Sequence, residues 1–337
     1  MTACLKTAFS EGNCLKGARA LITGGAGFVG SHIADQLLDE GVAEIILLDN
    51  MLRGSYRNIE AAMASGKVKF VEGDIRDRDL LDRLCDGVDY CFHMAALRIT
   101  RCAENPCEAF DVMYQGVFNV IESCLAHRVK KLVAASSASI YGQADSFPTN
   151  ETHHPYNNRT LYGAAKMASE LMCRAFHDMQ QLNYVAMRYF NVYGPRMDTE
   201  GKYTEVLIRW YYLIKEMKQP VVFGDGEQTM DFVYVGDVAR ANILSMKSNV
   251  TNEVFNVATG VETSLKQLCH ELISVMGSTV EPRFVPLPAE RKAVEVQRRL
   301  ADISKAAKMI GFRPSVPISA GLEQLVKWLD TRTENVL

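Results

Sequence analysis

The feature that most constrains this fold is a regular alternation of short apolar runs and longer amphipathic segments between Ala18 and about residue 195. Continuous apolar runs indicate strands that are buried on both faces, and amphipathic segments between them indicate helices that cover a parallel sheet. We predict strands at 18–23, 44–49, 68–74, 89–95, 131–136 and 184–189, and helices near 28–40, 77–84, 107–127, 160–181 and 203–217. The alternation therefore predicts an α/β fold with a doubly wound parallel sheet.

The pattern changes after Gly194-Pro195, where segments become shorter and Gly and Pro more frequent. We expect helices near 235–247, 264–276 and 317–331, and two strand-like pieces, 231–235 and 253–258, that return to the main sheet. This gives three units: an N-terminal extension outside the fold (1–17), a nucleotide-binding domain (18–195, with strands from about 231–258) and a smaller C-terminal α/β substrate-binding lobe (196–337).

Composition excludes several classes of function. The formal charge of −3 gives no electrostatic reason for wholesale binding to nucleic acid or to an anionic membrane. No apolar stretch approaches the roughly 18 residues needed to cross a bilayer. The nine cysteines are odd in number and have neither a CxxC pair nor a zinc-like spacing, so we expect reduced thiols, no metal site and a cytoplasmic location.

A glycine-rich turn follows the first predicted strand, in the run TGGAGFVGS at 23–31. Gly24, Gly27 and Gly30 precede or open a predicted helix, with Phe28 and Val29 between them, so backbone N–H groups can approach a pyrophosphate at the helix N-terminus. Asp49 ends the second strand nineteen residues after Gly30, where its carboxylate can accept hydrogen bonds from ribose hydroxyls. This arrangement predicts a Rossmann-type domain that binds NAD. Arg53 leaves NADP open as the alternative, although Asp49 would repel a 2′-phosphate.

Further cofactor contacts are predicted at the carboxyl ends of successive strands. Besides Asp49, these are Asn50 after the second strand, Asp74 and Ile75 after the third at the adenine edge, and Ala95 and Ala96 after the fourth. Each position alone is also compatible with an ordinary strand-end turn.

The fifth strand leads to candidate catalytic residues. Tyr162 and Lys166 are four residues apart on a predicted helix and therefore share a face. A nearby ammonium favours the phenolate, so Tyr162 is a candidate general acid/base for interconversion of an alcohol and a ketone, with Ser137 holding the same substrate oxygen. A YxxxK pair also occurs by chance on amphipathic helices, and only its combination with the glycine turn makes it informative.

Together these motifs resemble the extended short-chain dehydrogenase/reductases, specifically the nucleotide-sugar epimerase/dehydratase group. The resemblance runs from about Arg19 to Trp328 through TGGAGFVGS, LLDN, GDIRD, HMAA, SSASIYG, LYGAAK, RYFNVYGPR, FGDGEQTMDFVYVGDVA and LADISKA. It implies NAD as cofactor, a nucleotide-sugar substrate and a homodimer that pairs the helices near 107–127 and 160–181 in a four-helix bundle. It also implies roles for Ser137, Tyr162 and Lys166 in catalysis, the last of these through the nicotinamide ribose.

Substrate contacts follow from the same resemblance. Asn191 matches a side chain that contacts the sugar diphosphate, Val222 to Gly224 resemble the cradle of the nucleoside base, and Arg291 resembles an arginine that pairs with diphosphate. We also place Ser139 at the substrate. The chain departs from the family pattern at Met113, Met230 and Gln297, where the family often has Asn, Arg and a basic residue.

The reaction is narrowed by the two positions after Ser137. Related dehydratases carry Asp-Glu there and many uronic-acid decarboxylases carry the Glu, whereas this chain has Ala138 and Ser139. The simplest remaining reaction is a 4-epimerisation through a transient 4-keto sugar. A decarboxylase, dehydratase or net reductase of the same family is the alternative, and a non-catalytic NAD-binding regulator is the alternative of another class.

Two arginines bear on the charge of the sugar. Arg98 follows the HMAA strand end, and Arg299 stands where related epimerases place a residue whose size limits the sugar substituents. Either guanidinium could pair with the carboxylate of a hexuronic acid such as UDP-glucuronate. Binding of diphosphate or simple solvation, including that of Arg298 next to Arg299, remains open, as do neutral UDP-hexoses.

Overall fold

Seven parallel strands with apolar runs form the central sheet of the computed structural model, which describes residues 12–199, 206–287 and 296–333. The strands are β1 (Arg19–Thr23), β2 (Glu44–Asp49), β3 (Val68–Glu72), β4 (Tyr90–His93), β5 (Lys131–Ser137), β6 (Tyr184–Tyr189) and β11 (Glu253–Val257). Their order is β11-β6-β5-β4-β1-β2-β3, so the chain reverses its direction of winding after β3. The predicted doubly wound α/β fold is confirmed.

Helices cover both faces of this sheet, and each face has its own buried core. One face carries α1 (Phe28–Asp39), α2 (Tyr56–Met63), α9 (Val235–Lys247) and α11 (Ser304–Ile310). The other face carries α3 (Arg78–Cys85), α4 (Ile99–Glu104), α5 (Pro106–Phe110), α6 (Val117–Ala126) and α7 (Leu161–Gln180). A π-helical segment, Asp111–Gly116, joins α5 to α6, and a 3₁₀ turn, Ala138–Tyr141, follows β5.

The C-terminal lobe is built on a third core that includes Trp210, Tyr211, Leu268 and Leu325. Its helices are α8 (Val206–Lys215), α10 (Leu265–Val275) and α12 (Ile318–Thr333). Three short strand pairs accompany them: β7 (Asn191–Tyr193) with β10 (Phe232–Tyr234), β8 (Val221–Phe223) with β13 (Arg283–Val285), and β9 (Thr229–Met230) with β12 (Thr263–Ser264). Within the described residues, no helix is both long and apolar enough to span a membrane.

Two expectations about segments were wrong: that the piece 231–235 returns to the main sheet, and that the whole of the N-terminal extension lies outside the fold. The piece 231–235 does not return to the main sheet, because β6 is already hydrogen-bonded to β5 and β11, and β10 pairs instead with β7. The piece 253–258 does return, as β11. The described end of the N-terminal extension also packs onto the fold: Leu15 is only 2% exposed in the core, and the Asn13 amide donates to the carbonyl of Met246 at 2.8 Å.

Candidate active site

A cavity of about 1210 Å³ runs along the carboxyl ends of the parallel strands and reaches the C-terminal lobe. All the predicted cofactor contacts line it: Gly24, Gly27, Phe28, Val29, Gly30, Asp49, Asn50, Asp74, Ile75, Ala95, Ala96, Tyr162 and Lys166. So do five predicted substrate contacts, Arg98, Ser137, Ser139, Asn191 and Arg299. The fold thus brings residues from many parts of the chain to one cleft.

The glycine turn forms a cradle that side chains would fill. Gly24 has φ of +68°, and a Cβ atom there would lie 2.7 Å from the backbone nitrogen of Ala95. A Cβ at Gly30 would lie 2.3 Å from the carbonyl oxygen of Gly24. Helix α1 has no side-chain cap at Gly27 and no acidic residue in its first turn. Its N-terminus therefore fits an anionic group such as the pyrophosphate of NAD.

Asp49 is positioned by backbone N–H groups at the edge of this cradle. Its carboxylate accepts from Ala26 at 3.0 Å and from Met51 at 2.9 Å. Burial raises the pKa of Asp49, and these hydrogen bonds act against that rise. Since each carboxylate oxygen has two lone pairs, acceptor capacity remains for ribose hydroxyls.

Asp74, predicted at the adenine edge, is engaged by its neighbours. Its carboxylate accepts from the side chains of Arg76 and Asn50, and the Arg76 guanidinium lowers the pKa of Asp74 to about 2. At neutral pH Asp74 is therefore an ionised group that holds Asn50 at the cavity wall.

Ser137 and Tyr162 line the same cavity. Ser137 Oγ accepts from the N–H of Ser139 at 3.1 Å as it caps the 3₁₀ turn, and Thr160 caps α7 through the N–H of Gly163 at 3.0 Å. Burial raises the pKa of Tyr162, while a hydrogen bond with Ser137 and the cations of Arg53 and Arg299 act in the opposite direction. Two hydroxyls that line one cavity in this way can hold a single substrate oxygen between them.

Lys166 lies one helical turn beyond Tyr162 and is buried. Its ammonium donates to the carbonyl of Ala135 at 2.7 Å and stands 5.9 Å from the centre of the Tyr162 ring. Burial lowers the pKa of Lys166 to about 8. The ammonium therefore acts on Tyr162 through space, with a backbone carbonyl fixing its direction.

An acidic residue that the sequence analysis did not single out lines the cavity and pairs with two arginines. Asp198 accepts from Arg53 Nε at 3.2 Å and from Arg98 Nη2 at 3.1 Å. This single carboxylate joins the loop after β2 to the start of α4. Arg98, expected at the sugar, already has an anionic partner.

Two predicted substrate positions do not line the cavity. The Val222 side chain is 1% exposed in the core of the C-terminal lobe, because β8 pairs with β13 and turns this side chain inward. Gly224 lies in the turn after β8, with φ of +74°. Arg291 lies outside the described residues. At the positions that depart from the family pattern, Met230 lines the cavity and the Met113 sulfur accepts from the N–H of Leu97 at 3.3 Å.

A buried ion pair behind Ser137 was also missed. Arg188 on β6 contacts the Glu170 carboxylate at 2.9 and 2.6 Å, and the Ser136 hydroxyl donates to the same carboxylate. Arg188 also donates to the Tyr141 hydroxyl at 2.9 Å. The available signal was the four-residue spacing between Lys166 and Glu170, which places both on one face of α7.

Comparison with known proteins agrees with this geometry. A sequence profile described as the NAD dependent epimerase/dehydratase family matches residues 20–258. The chain belongs to this family. A family member from Methanocaldococcus jannaschii named putative UDP-glucose 4-epimerase is 35% identical over 312 residues, which are 92% of this chain and 97% of that protein.

A solved structure and a second relative show the range of the epimerase/dehydratase family. The UDP-N-acetylglucosamine 4-epimerase of Methanobrevibacter ruminantium M1, in complex with UDP-N-acetylmuramic acid, superposes with a TM-score of 0.88 at 31% identity, covering 94% of this chain and 99% of that one. A UDP-N-acetyl-alpha-D-glucosaminuronate decarboxylase of Bacillus cytotoxicus is 29% identical over 319 residues, 92% of this chain and 97% of that protein. The family and its fold are therefore established for this chain, and NAD is its cofactor.

Proposed function

We propose that this protein is an NAD-dependent nucleotide-sugar 4-epimerase, acting on a UDP-hexose or UDP-hexuronic acid through a transient 4-keto sugar. The observation that carries the proposal is that Ser137 and Tyr162 line one cavity together, with Ser137 followed by Ala138 and Ser139 where dehydration or decarboxylation would use an acid. Tyr162 and Ser137 can move one proton to and from one hydroxyl, which is what 4-epimerisation requires of the protein.

In this mechanism Ser137 donates a hydrogen bond to the 4-oxygen of the sugar, and Tyr162 as phenolate takes the 4-hydroxyl proton. NAD, when bound, supplies reversible acceptance of the hydride from C4. After the 4-keto sugar turns its other face, Tyr162 returns its proton to the 4-oxygen. Lys166 favours the phenolate by its charge, Asn191 contacts the sugar diphosphate, and Arg98 lines the same cavity on the side of the sugar.

The domains divide these tasks. Residues 18–195 together with β11 hold NAD, and the lobe formed mainly by 196–337 holds the nucleotide sugar, in our proposal. Buried, free thiols favour a cytoplasmic location, and the reaction fits carbohydrate biosynthesis.

A direct test combines cofactor analysis with a substrate panel. Because the hydride returns to the same sugar, we expect the purified protein to retain NAD, which heat denaturation should release for identification. Incubation with UDP-glucose, UDP-glucuronate and their N-acetylated counterparts, followed by chromatographic separation of epimers, should yield a 4-epimer without net NADH. Release of carbon dioxide would instead identify a decarboxylase. Turnover of none of these sugars would favour the alternative of a non-catalytic NAD-binding regulator.

We also propose a homodimer formed through α5–α6 and α7. Phe110 and Leu171 on these helices are 58% and 56% exposed, and Phe118 packs on Phe176 between them. A second copy presenting the same helices would cover these apolar side chains. Leu171→Glu should convert the dimer to a monomer in analytical ultracentrifugation, while Val261→Glu, at an equally exposed position of the C-terminal lobe, should not. A wild-type monomer would contradict the proposal.

A further inference from the structure

Two consecutive arginines in the C-terminal segment have different surroundings. Arg298 points outward, where it contacts both oxygens of Glu262 at 2.7 Å and covers the Phe147 ring. The Arg299 N–H donates to the carbonyl of Thr229 at 2.9 Å, and its side chain lines the large cavity. The extended backbone thus sends one guanidinium to the surface and the next to the active site.

Arg299 is a partly buried cation with no partner anion among the described residues. Its Nε is shielded from solvent and has no hydrogen-bond partner, and none of the described residues offers it a carboxylate at salt-bridge distance. Burial lowers the pKa of Arg299, but a guanidinium stays protonated in proteins. A partly desolvated charge without a partner is costly, so its retention at a ligand cavity calls for an anionic ligand group.

Four other arginines around the cavity are paired with carboxylates, and a fifth, Arg332, covers the Trp328 ring. Arg53 and Arg98 share Asp198, Arg101 pairs with Glu108, and Arg196 pairs with Asp35. The structure therefore distinguishes Arg299 from Arg98 by the lack of a carboxylate partner among the described residues, whereas the sequence alone treated the two arginines as equivalent.

The position of Arg299 relative to Tyr162 indicates which ligand group it meets. The two side chains line the same cavity, and their charges interact: the Arg299 cation favours the tyrosinate. Tyr162 marks the 4-oxygen of the sugar in the proposed reaction. In a pyranose ring C3 and C5 flank C4, whereas C1, which carries the diphosphate, lies across the ring. Since Arg299 lines the cavity that holds Tyr162 and its charge acts on that tyrosine, we assign its ligand group to a substituent of C3 or C5.

We propose that Arg299 binds a carboxylate carried on a ring carbon adjacent to C4, so that the preferred substrate is an acidic nucleotide sugar. This inference rests on the proposed 4-epimerase function and specifies its substrate class. Two sources supply that chemistry: a hexuronic acid, whose carboxylate is on C5, and a lactyl ether, whose carboxylate hangs from the oxygen on C3. A planar guanidinium can hold either carboxylate bidentately.

The test compares acidic sugars with their neutral counterparts. We would measure kcat/KM for UDP-glucuronate against UDP-glucose, and for UDP-N-acetylmuramate against UDP-N-acetylglucosamine. The wild type should prefer one acidic sugar by at least tenfold, and the preferred pair identifies the source of the carboxylate. Arg299→Gln should lower kcat/KM for that acidic sugar about 10–100-fold more than for its neutral counterpart, since this is the usual size of a lost hydrogen bond to a charged group and the loss of the Arg299 charge beside Tyr162 affects both sugars alike.

Two further variants show whether the preference depends on the Arg299 guanidinium itself. Arg298→Gln should leave the preference unchanged, because Arg298 faces Glu262. Arg299→Lys, which keeps the charge without the planar fork, should show an intermediate preference and replaces the glutamine variant if the latter does not fold. A wild-type preference for the neutral sugar would overturn the proposal.

An equal loss for both sugars in Arg299→Gln, with a shifted pH profile of kcat, would also overturn it, because Arg299 would then act on Tyr162 alone. Calorimetric binding of UDP-glucuronate, UDP-N-acetylmuramate and their neutral counterparts keeps the inference apart from the proposed function. Tighter binding of an acidic sugar that depends on Arg299 supports the carboxylate site even if no sugar is epimerised. Absence of turnover for every sugar would contradict only the epimerase function.

Discussion

At the scale of single residues, Lys166 shows what spacing predicts and what it leaves open. The four-residue interval correctly places its ammonium on the face of α7 that carries Tyr162. Spacing could not show that the ammonium would be directed by the carbonyl of Ala135, because that oxygen comes from β5, thirty-one residues earlier. Likewise, Arg98 differs from Arg299 in having Asp198 as a partner, and Asp198 is distant from it in sequence.

The catalytic assignment predicts that two substitutions lower turnover alike but differ in their effect on NAD content. Tyr162→Phe removes the proton-accepting oxygen and keeps the ring, so turnover should fall about 10²–10⁴-fold, as expected for lost acid–base catalysis. Lys166→Met should lower turnover similarly and also reduce NAD content. Epimer formation and released NAD are the measurements, with Tyr156→Phe as control because Tyr156 is 81% exposed. Near-normal turnover of Tyr162→Phe would place the acid/base elsewhere.

The pair of Glu170 and Arg188 predicts strong coupling in stability. Both side chains are buried, so Arg188→Met leaves an uncompensated carboxylate and should lower the free energy of unfolding by about 3–5 kcal/mol. In the double variant Glu170→Gln/Arg188→Met that carboxylate is absent, and the loss should be smaller than the sum of the single losses. Urea denaturation of all four proteins measures this difference, and simple additivity would contradict it.

At the scale of elements, the glycine turn before α1 makes a prediction with a matched control. Gly24 and Gly311 have nearly the same φ, +68° and +70°, but a Cβ at Gly24 would meet the backbone of Ala95, whereas none of the described atoms lies within 4 Å of one at Gly311. Gly311→Ala should cost about 1 kcal/mol of backbone strain. Gly24→Ala should cost more and abolish NAD retention. Equal losses of stability with normal NAD content would show that close approach is unimportant.

Element prediction succeeded where burial alone determines the structure. Strands β2 and β6 lie where their apolar runs predict, since both faces of a central parallel strand are covered. Helix α2 was missed because it is short and begins in a loop rather than after a strand, although Ile59 and Ala62 are buried. The inward-facing Val222 and the displaced strand β10 depend on which partner each strand finds, and a local pattern does not contain that information.

At the scale of the whole molecule, the buried titratable groups link the cavity to stability. Burial lowers the pKa of His32 to about 4, assisted by the Arg196 cation, and that of His93 to about 3, assisted by Lys166. Both histidines are therefore neutral in the native state at pH 5, whereas an unfolded histidine titrates near 6.5. Burial, assisted by the Arg196 and Lys166 cations, thus makes the fold sensitive to acid.

The sign of this sensitivity follows from proton uptake. Between pH 6.5 and 4 the unfolded chain binds protons at His32 and His93 that the native state does not bind. Stability should therefore fall as pH falls, with each histidine contributing up to about 1.4 kcal/mol per pH unit. Buried carboxyls such as Asp49, whose pKa is raised, act in the opposite direction, so the test must compare variants rather than read the wild-type slope alone.

His32→Gln provides that comparison, because the glutamine amide can replace the 3.0 Å hydrogen bond from His32 Nε2 to the carbonyl of Pro195. The free energy of unfolding of wild type and variant should be measured in urea at pH 7 and pH 5. We expect the wild type to lose about 1–2 kcal/mol more than the variant over this interval, since only its unfolded state gains the His32 proton. Parallel losses would mean that His32 is protonated in the native state, and that neither its burial nor the Arg196 cation keeps it neutral.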